Sequence, residues 1–366
     1  MTSPTLARSA TRNEYDAVLL VGFGGPEGPG EVMPFLRAVT RGRGIPDERL
    51  EVVASHYRSF GGVSPVNAQN RMLRQALEVE LESRGMHLPV YWGNRNAAPF
   101  LHDTIRAAAD AGRERFIAVV TSAYSSYSGC RQYREDIAGA LSGSSSLENV
   151  RIDTVRPYFD HPGFVVPFIE NLRETLRWTA TEGIPRARTH ILFTTHSIPL
   201  ADAAASGPAE RDFGPGGAYA AQHIAVAEVI RHRAGASAIE WSLAYQSRSG
   251  SPRSPWLEPD VNVAIENVAG NGTEAVVIVP IGFVSDHMEV VWDLDVEAME
   301  TARRCGILAV RVPTPGVHPA FVAGLADLVV ERATDADRKQ RPALTHLGPW
   351  SDVCSPDCCT RALHRG

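Results

Sequence analysis

Several stretches of the chain are unbroken apolar runs of strand length, and they constrain the fold more than any other feature. Residues 17–21 read AVLLV, and residues 275–281 read AVVIVPI. A strand that is apolar on both faces must be covered on both sides, which is typical of the parallel sheets of α/β proteins. An antiparallel strand with one face in water would instead alternate apolar and polar residues.

Strand-length segments recur along the chain and are separated by helical or loop segments. They form two sets of four, at residues 16–23, 89–93, 116–122 and 151–155, and at residues 190–195, 239–245, 274–281 and 306–312. Helices are predicted at residues 32–39, 162–178 and 317–333. Strands that alternate with helices indicate right-handed crossovers and parallel sheets. We therefore predict an α/β protein with two similar Rossmann-like domains, each a roughly four-stranded parallel sheet flanked by helices, facing a shared cleft.

The domain organisation follows from the same pattern. Residues 1–14 are expected to be a disordered leader. They contain no apolar region of the kind found in signal peptides, so no signal peptide is expected. The first Rossmann-like domain is expected at residues 15–165, and the second at residues 166–333. Residues 334–366 are polar and end in SDVCSPDCCTRALHRG, so they are interpreted as a cysteine-containing C-terminal tail.

Charge and hydropathy restrict the classes of function. The net charge of −6 and the pI near 6.1 argue against general nucleic-acid binding. The longest apolar runs have about ten residues, well short of the ~20 needed to cross a bilayer, so no integral membrane segment is expected. A soluble, cytoplasmic protein is predicted. Five cysteines in such a chain are expected to be free thiols or metal ligands rather than a disulfide framework.

An acidic row follows the apolar run at residues 275–281. Glu289, Asp293 and Glu297 are spaced at i, i+4 and i+8, so they lie on one face of a predicted helix. Asp286 is expected to cap this helix, with Glu289 reaching back to it. The row is either a solvated acidic face or a path for a cation. Its position after a buried strand, where open α/β sheets bind ligands, favours the cation path.

His196 follows the apolar strand HILFTT in the same half of the chain. A structural histidine held by backbone hydrogen bonds is one interpretation. The alternative is a functional pair with Glu289, because both residues follow predicted strands of one domain. A neutral imidazole and a carboxylate suit a divalent first-row metal, and they also suit the transfer of protons. The glycine-rich turn after the first strand does not predict a dinucleotide site, since Glu27 stands where the third glycine would be.

Several motifs, in order along the chain, resemble those of the ferrochelatase family, whose members insert ferrous iron into a porphyrin. They are LLVGFGGP (19–26), FGGVSPVN (60–67), THSIP (195–199), YQS with PWLEPD (245–247 and 255–260) and GFVSDHMEVVWDLDVE (282–297). The resemblance extends from about residue 16 to residue 330. It implies two Rossmann-like domains with the porphyrin in the cleft between them.

The resemblance also implies roles for individual residues. His196 and Glu289 would be the catalytic residues and the iron ligands, with His196 also accepting pyrrole protons. Asp293 and Glu297 would continue as an acidic row on a helix that is partly π-type, passing iron in or protons out. Ser64 and Tyr133 match positions that contact the porphyrin in related bacterial enzymes, and Arg41 and His56 are weaker candidates for holding its propionates. A flat apolar ring also needs apolar neighbours, for which Phe23, Tyr57 and Phe60 are the candidates. His287 is expected to support Glu289 rather than to bind the metal.

Four cysteines are candidates for a second metal centre. Cys130 lies in the first half, whereas Cys354, Cys358 and Cys359 lie close together in the tail. Four thiolates suit a [2Fe–2S] cluster, and they suit zinc equally well. The arrangement resembles that of ferrochelatases of actinobacterial type, with one mid-chain cysteine and three near the C-terminus. This resemblance favours the cluster.

The expected substrates are ferrous iron and a porphyrin. The actinobacterial character of the tail favours coproporphyrin III, giving Fe-coproporphyrin III in haem b biosynthesis, with protoporphyrin IX as the alternative. A haem or metal carrier on the same scaffold is the alternative from another class. The acidic row argues against a carrier, which needs no exit for protons.

Overall fold

The computed structural model describes residues 15–42, 44–142, 145–249 and 254–361. The expected leader at residues 1–14 therefore lies outside the described residues, as do residues 362–366 of the expected tail. Within the described ranges, eight strands form two four-stranded sheets, and all neighbouring strands are parallel. The predicted fold class and all eight predicted strands are confirmed.

Each sheet places its first strand beside the third. The first sheet has the order β2-β1-β3-β4, with β1 at Ala17–Gly22, β2 at Val90–Asn94, β3 at Arg115–Val120 and β4 at Arg151–Thr154. The second sheet has the order β6-β5-β7-β8, with β5 at Thr189–His196, β6 at Glu240–Gln246, β7 at Ala275–Val279 and β8 at Leu308–Arg311. The carboxyl ends of neighbouring parallel strands lie at one edge of a sheet, where loops can build a site.

Helices flank both sheets. In the first half they are α1 (Val32–Val39), α2 (Asp47–Ser59), α3 (Val66–Ser83), α4 (Leu101–Asp110) and α5 (Gln132–Leu141). They are followed by α6 (Pro162–Thr181), α7 (Leu200–Ala204), α8 (Gly217–Arg233), α9 (Val261–Gly270), α10 (Met288–Val290), α11 (Met299–Arg304) and α12 (Pro319–Ala333). The expected boundary between residues 165 and 166 falls inside α6.

The unbroken apolar sequence of β1 is explained by the cover on both of its faces. Val18 and Leu20 lie in a core cluster with residues of α3, α6 and α12. Ala17, Leu19 and Val21 lie in a second cluster with residues of α4 and α5. Alternate side chains thus enter different cores, so neither face of the strand tolerates a polar residue.

The helix that carries the acidic row is interrupted by a π-helix, as the family resemblance implies. The π-helix spans Val291–Ala298 between α10 and α11. The predicted cap at Asp286 is wrong: His287 caps α10, because its Nδ1 accepts a hydrogen bond from the backbone N–H of Glu289 at 3.2 Å. The Asp286 carboxylate instead binds Arg311.

The described part of the tail packs against the body of the protein. Arg156, which is almost fully buried, pairs with Asp160 at 3.3 Å and Glu331 at 2.9 Å. Arg156 also donates to the backbone oxygen of Pro342 at 2.9 Å. The buried Trp350 ring meets Phe159 edge-on, with ring centroids 5.8 Å apart. These contacts place the tail cysteines close to the first sheet.

Candidate active site

His196 and Glu289 meet at the carboxyl edge of the second sheet. His196 ends β5, and Glu289 lies in α10, which follows the neighbouring strand β7. The His196 Nε2 lies 3.6 Å from Glu289 Oε2, and the two side chains are 31% and 44% exposed. The His196 Nδ1 faces the backbone oxygen of Ser197 and must donate its hydrogen there. The lone pair of a neutral imidazole is therefore on Nε2, directed toward the carboxylate.

Hydrogen bonds with neighbouring side chains hold the backbone of both His196 and Glu289. The hydroxyl of Tyr219 donates to the backbone oxygen of His196 at 2.8 Å. His287 holds the first turn of α10 through its bond to the Glu289 backbone, and burial lowers the pKa of His287. A neutral His287 can accept that bond on Nδ1, in agreement with the expected supporting role.

Asp293 lies behind Glu289 in a partly enclosed position. Gln246, at the end of β6, donates to Asp293 Oδ2 at 3.4 Å and to the Glu289 backbone oxygen at 3.0 Å. The Ser247 hydroxyl also donates to Asp293, from a residue with a φ of 61°. Burial raises the pKa of Asp293 to about 8, with Glu289 and Glu297 acting in the same direction. The carboxyl can therefore gain or lose a proton near neutral pH.

The outer end of the acidic row contacts the first half of the chain. Trp292 donates from Nε1 to Glu297 Oε1 at 2.8 Å. The same indole stacks on the His56 ring, with centroids 4.0 Å apart and an interplanar angle of 9°. Phe60 meets Trp292 edge-on at 6.4 Å. Burial lowers the pKa of His56, while Glu297 opposes that shift. Helix α2 thus closes against the π-helix.

Aromatic residues of the first half face the same region. Tyr57 is buried in an apolar cluster that also contains Phe35 and Met288. Burial raises the pKa of Tyr57, and the nearby Glu289 and Asp293 add to the effect. Phe23 is 39% exposed and meets Phe35 edge-on at 6.2 Å.

The other predicted porphyrin residues are not equally accessible. Ser64 is buried, and its backbone N–H donates to the Pro26 oxygen at 2.8 Å. Tyr133 is also buried, and the guanidinium of Arg95 lies 4.5 Å from the centroid of its ring. Arg41 lies on an exposed turn after α1.

Sequence reasoning gave no role to Arg95, Gln246, Ser247 or Trp292. Arg95 forms an ion pair with Asp136 and lies beside the rings of Phe23 and Tyr133. Gln246 and Ser247 belong to the YQS motif at the end of β6, and this position beside β5 is the one signal that pointed to them. Nothing in the spacing of Arg95 or Trp292 indicated their contacts.

The four candidate cluster cysteines come together beside the first sheet. Cys130 contacts Cys354 and Cys359, Cys354 contacts Cys358, and the Sγ atoms of Cys358 and Cys359 are 3.6 Å apart. The Gly207 backbone N–H donates to Cys359 Sγ at 3.2 Å.

Two of the four thiols donate hydrogen bonds, and the other two accept them. Hydrogen bonds from Cys130 and Cys358 lower the pKa of Cys354 to about 3 and that of Cys359 to about 4. The pKa values of Cys130 and Cys358 are raised in return. Among the described residues, no group of three or more His, Cys, Asp or Glu side chains is arranged so that it could hold a metal ion. The thiols are therefore gathered but do not form a finished ligand cage.

In the ranges that the structure describes, no helix is both long and apolar enough to cross a membrane.

Comparisons with known proteins agree with the fold and the motifs. A family model described as Ferrochelatase matches residues 15–333. The coproporphyrin III ferrochelatase of Leifsonia xyli subsp. xyli is 60% identical over 353 residues, covering 94% of this chain and 91% of the relative. The protein of the same name from Tropheryma whipplei (strain Twist) is 55% identical over 350 residues, covering 95% of this chain and 89% of the relative.

Among solved structures, SirB from Bacillus subtilis with Fe³⁺ has a TM-score of 0.51 and 12% sequence identity. The match covers 90% of this chain and 100% of SirB. At this identity, the likeness shows the fold alone.

Proposed function

Because the chain belongs to the ferrochelatase family and is a metal chelatase, we propose that it inserts ferrous iron into coproporphyrin III. The product is Fe-coproporphyrin III, an intermediate of haem b synthesis. Relatives that are 51–60% identical carry coproporphyrin III in their names. Protoporphyrin IX is the alternative substrate. A relative from Rhodopirellula baltica that is 46% identical is named ferrochelatase, without a porphyrin in its name.

The observation that carries the proposal is the 3.6 Å approach of His196 Nε2 to Glu289 Oε2. Metallation removes two pyrrole protons and places a dication in the ring, so the site needs a base and weak metal ligands. The Nε2 lone pair of His196 accepts a proton or binds iron, and the Glu289 carboxylate supplies the second ligand. Both side chains are partly exposed, so a substrate can reach them.

Asp293 and Glu297 provide the path for iron or protons. With a pKa of about 8, Asp293 exchanges a proton near neutral pH. Gln246 bonds to both Asp293 and the Glu289 backbone, so it fixes the distance between these two steps of the path. Glu297, whose carboxylate is exposed beside Trp292, is the outer end.

The porphyrin lies against the first half of the chain. Phe23 supplies exposed apolar surface for the ring. Phe35 packs against Phe23, and the buried Tyr57 packs against Phe35. Ser64, Tyr133, Arg41 and His56 are proposed to hold the propionates. Because Arg95 covers the ring of Tyr133, a propionate that reaches Tyr133 also meets a guanidinium.

We further propose that Cys130, Cys354, Cys358 and Cys359 hold a [2Fe–2S] cluster, with zinc as the alternative. The mutual contacts of the thiols support this, because one mid-chain cysteine and three tail cysteines meet at a single place. A bound cluster would supply an electron-accepting centre and would cross-link the tail to the body. The five cysteines are unpaired, which fits a cytoplasmic location where thiols stay reduced.

The cluster is tested by the visible spectrum of the protein as isolated. We expect a reddish protein whose visible absorption is lost in Cys354→Ser. The absorption should be kept in Cys305→Ser, which alters the fifth cysteine, at the end of α11. A colourless protein that holds one zinc ion per chain would refute the cluster.

The role of the His196–Glu289 pair is tested with His196→Ala and Glu289→Gln. Both variants should lose at least about 100-fold in iron insertion, because each removes a proton acceptor or ligand. His87→Ala, which alters an exposed histidine, is the control. Variants with the wild-type rate would contradict the assignment. A carrier on the same scaffold would bind coproporphyrin III but leave the insertion rate at background.

A further inference from the structure

We propose that Arg311 is a positioning residue that fixes the π-helix, and with it the metal-binding geometry of Glu289 and Asp293. The inference rests on the proposed function. It assigns a role to a residue that lies outside the family-like motifs and that touches neither His196 nor Glu289 in the described contacts.

Arg311 holds two carboxylates with one guanidinium. Its Nη1 and Nη2 donate to the two oxygens of Asp286 at 3.1 and 3.2 Å. Its Nε and Nη2 donate to the two oxygens of Asp295 at 2.6 and 2.8 Å. Thr314 adds a hydrogen bond to Asp286 at 2.9 Å. The Arg311 side chain is 13% exposed, whereas those of Asp286 and Asp295 are 23% and 35% exposed, so solvent screens the Asp295 pair more than the Asp286 pair.

The two carboxylates that Arg311 binds, those of Asp286 and Asp295, lie on either side of Glu289 and Asp293 in the chain. Asp286 directly precedes His287, the cap of α10, and Asp295 lies inside the π-helix. A π-helix is rare and is usually found as a short interruption at functional sites. Two fixed points within one short segment hold its register, and hence the direction in which Glu289 and Asp293 point.

Arg311 and the two carboxylates that it binds, those of Asp286 and Asp295, form a clamp. This clamp also connects the two halves of the protein. The backbone N–H of Asp286 donates to Gln69 Oε1, on α3, at 2.9 Å. The start of the acidic helix is therefore tied to β8 on one side and to the first half on the other. Such outer contacts orient metal ligands without touching the metal.

The acidic residues between positions 286 and 297 fall into two groups, according to whether Arg311 binds them. Asp295 lies between Asp293 and Glu297 in the chain, yet its carboxylate is paired with Arg311. Asp286 is paired in the same way. The guanidinium thus removes these two carboxylates from competition for the cation and leaves Glu289, Asp293 and Glu297 as the row. Lysine in its place would keep one positive charge but lose the fork that binds both partners.

The test uses Arg311→Lys and Asp295→Asn in the full-length protein. The readouts are the affinity of porphyrin-free protein for Co²⁺ by calorimetry and the KM values for Fe²⁺ and coproporphyrin III. We expect Arg311→Lys to weaken Co²⁺ binding and raise the KM for Fe²⁺ by roughly 10- to 100-fold, as is typical for residues that orient metal ligands. Asp295→Asn should act in the same direction but less strongly. The KM for coproporphyrin III should change by less than about threefold, because Arg311 binds Asp286 and Asp295 and neither of these residues is proposed to hold the porphyrin.

The matched control is Arg303→Lys. Arg303 binds Glu300 through two hydrogen bonds of 2.8 and 2.7 Å on α11, but this pair is exposed. The Arg303→Lys variant should leave the Co²⁺ affinity and both KM values unchanged. Circular dichroism and thermal unfolding confirm that each variant is folded. The isosteric Asp295→Asn variant keeps the test valid if Arg311→Lys does not fold.

A clamp and a purely structural contact at Arg311 predict different results. A residue with a purely structural role would lower kcat through a smaller folded fraction while both KM values and the Co²⁺ affinity stayed constant, and this result would overturn the proposal. Wild-type Co²⁺ affinity in Asp295→Asn and Arg311→Lys would also overturn it. If the wild type binds Co²⁺ but inserts no iron, the proposed function fails, and weaker Co²⁺ binding by the variants would still support the clamp.

Discussion

Replacing Asp293 by asparagine should remove a pH-dependent loss of stability from the metal-free protein. Burial, together with Glu289 and Glu297, raises the pKa of Asp293 from 3.8 to about 8. Asparagine keeps the size of the side chain but cannot ionise. The variant therefore isolates the free-energy cost of carrying a carboxyl group at this position.

The sign follows from the proton balance. Below pH 3.8 the carboxyl is protonated in both the folded and the unfolded chain. Between about pH 4 and pH 8 it is ionised only in the unfolded chain, so the free energy of unfolding falls as the pH rises, and it levels off above the folded pKa. One pKa unit corresponds to about 1.4 kcal/mol, so a shift of about four units gives roughly 6 kcal/mol. Partial solvent access to the side chain reduces this to about 2–4 kcal/mol.

The assay is urea unfolding of metal-free protein at pH 5, 6, 7 and 8, followed by tryptophan fluorescence. The transition midpoint of Asp293→Asn should rise relative to that of the wild type as the pH increases. Because the window from pH 5 to pH 8 covers about three of the four units of the shift, the relative gain across it should be about 1.5–3 kcal/mol. Asp110→Asn, which alters an exposed carboxyl on α4, should run parallel to the wild type. If the Asp293→Asn curve is also parallel to the wild type, the reasoning about Asp293 is wrong.

Two further predictions concern contacts away from the reacting atoms. Arg156→Met leaves the buried Asp160 and Glu331 without their cation. It should lower the free energy of unfolding by about 3–5 kcal/mol and expose the tail to proteolysis. A protease pattern like that of the wild type would contradict this prediction. Trp292→Ala uncovers the His56 ring and should raise the pKa of His56 toward its usual value, since burial lowers it now. An unchanged His56 titration measured by NMR would show that Trp292 does not bury this ring.

The sequence predicted the strands well because burial on both faces leaves a local signature. An unbroken apolar run such as residues 17–21 can be recognised without any knowledge of its neighbours. The cap of α10 shows the opposite case. Asp286 has the residue type and position of a helix cap, but it is bound by Arg311, which lies 25 residues further along the chain. A local rule cannot detect such a competing partner.

In the candidate site, too, some contacts were predictable from the sequence and others were not. The meeting of His196 and Glu289 was predictable, because both follow adjacent strands of one parallel sheet. The gathering of the four cysteines also agrees with expectation, although their arrangement does not form a finished metal site. The contacts of Arg95 and Trp292 depend on how separate elements pack, and the sequence alone carries no signal for them.

The central claim is that this chain metallates coproporphyrin III. It is tested most directly by mixing the purified protein with ferrous iron and either coproporphyrin III or protoporphyrin IX without oxygen, and following visible absorption. The account predicts rapid formation of Fe-coproporphyrin III and slower turnover of protoporphyrin IX. Formation of Fe-coproporphyrin III no faster than in the absence of protein would contradict it.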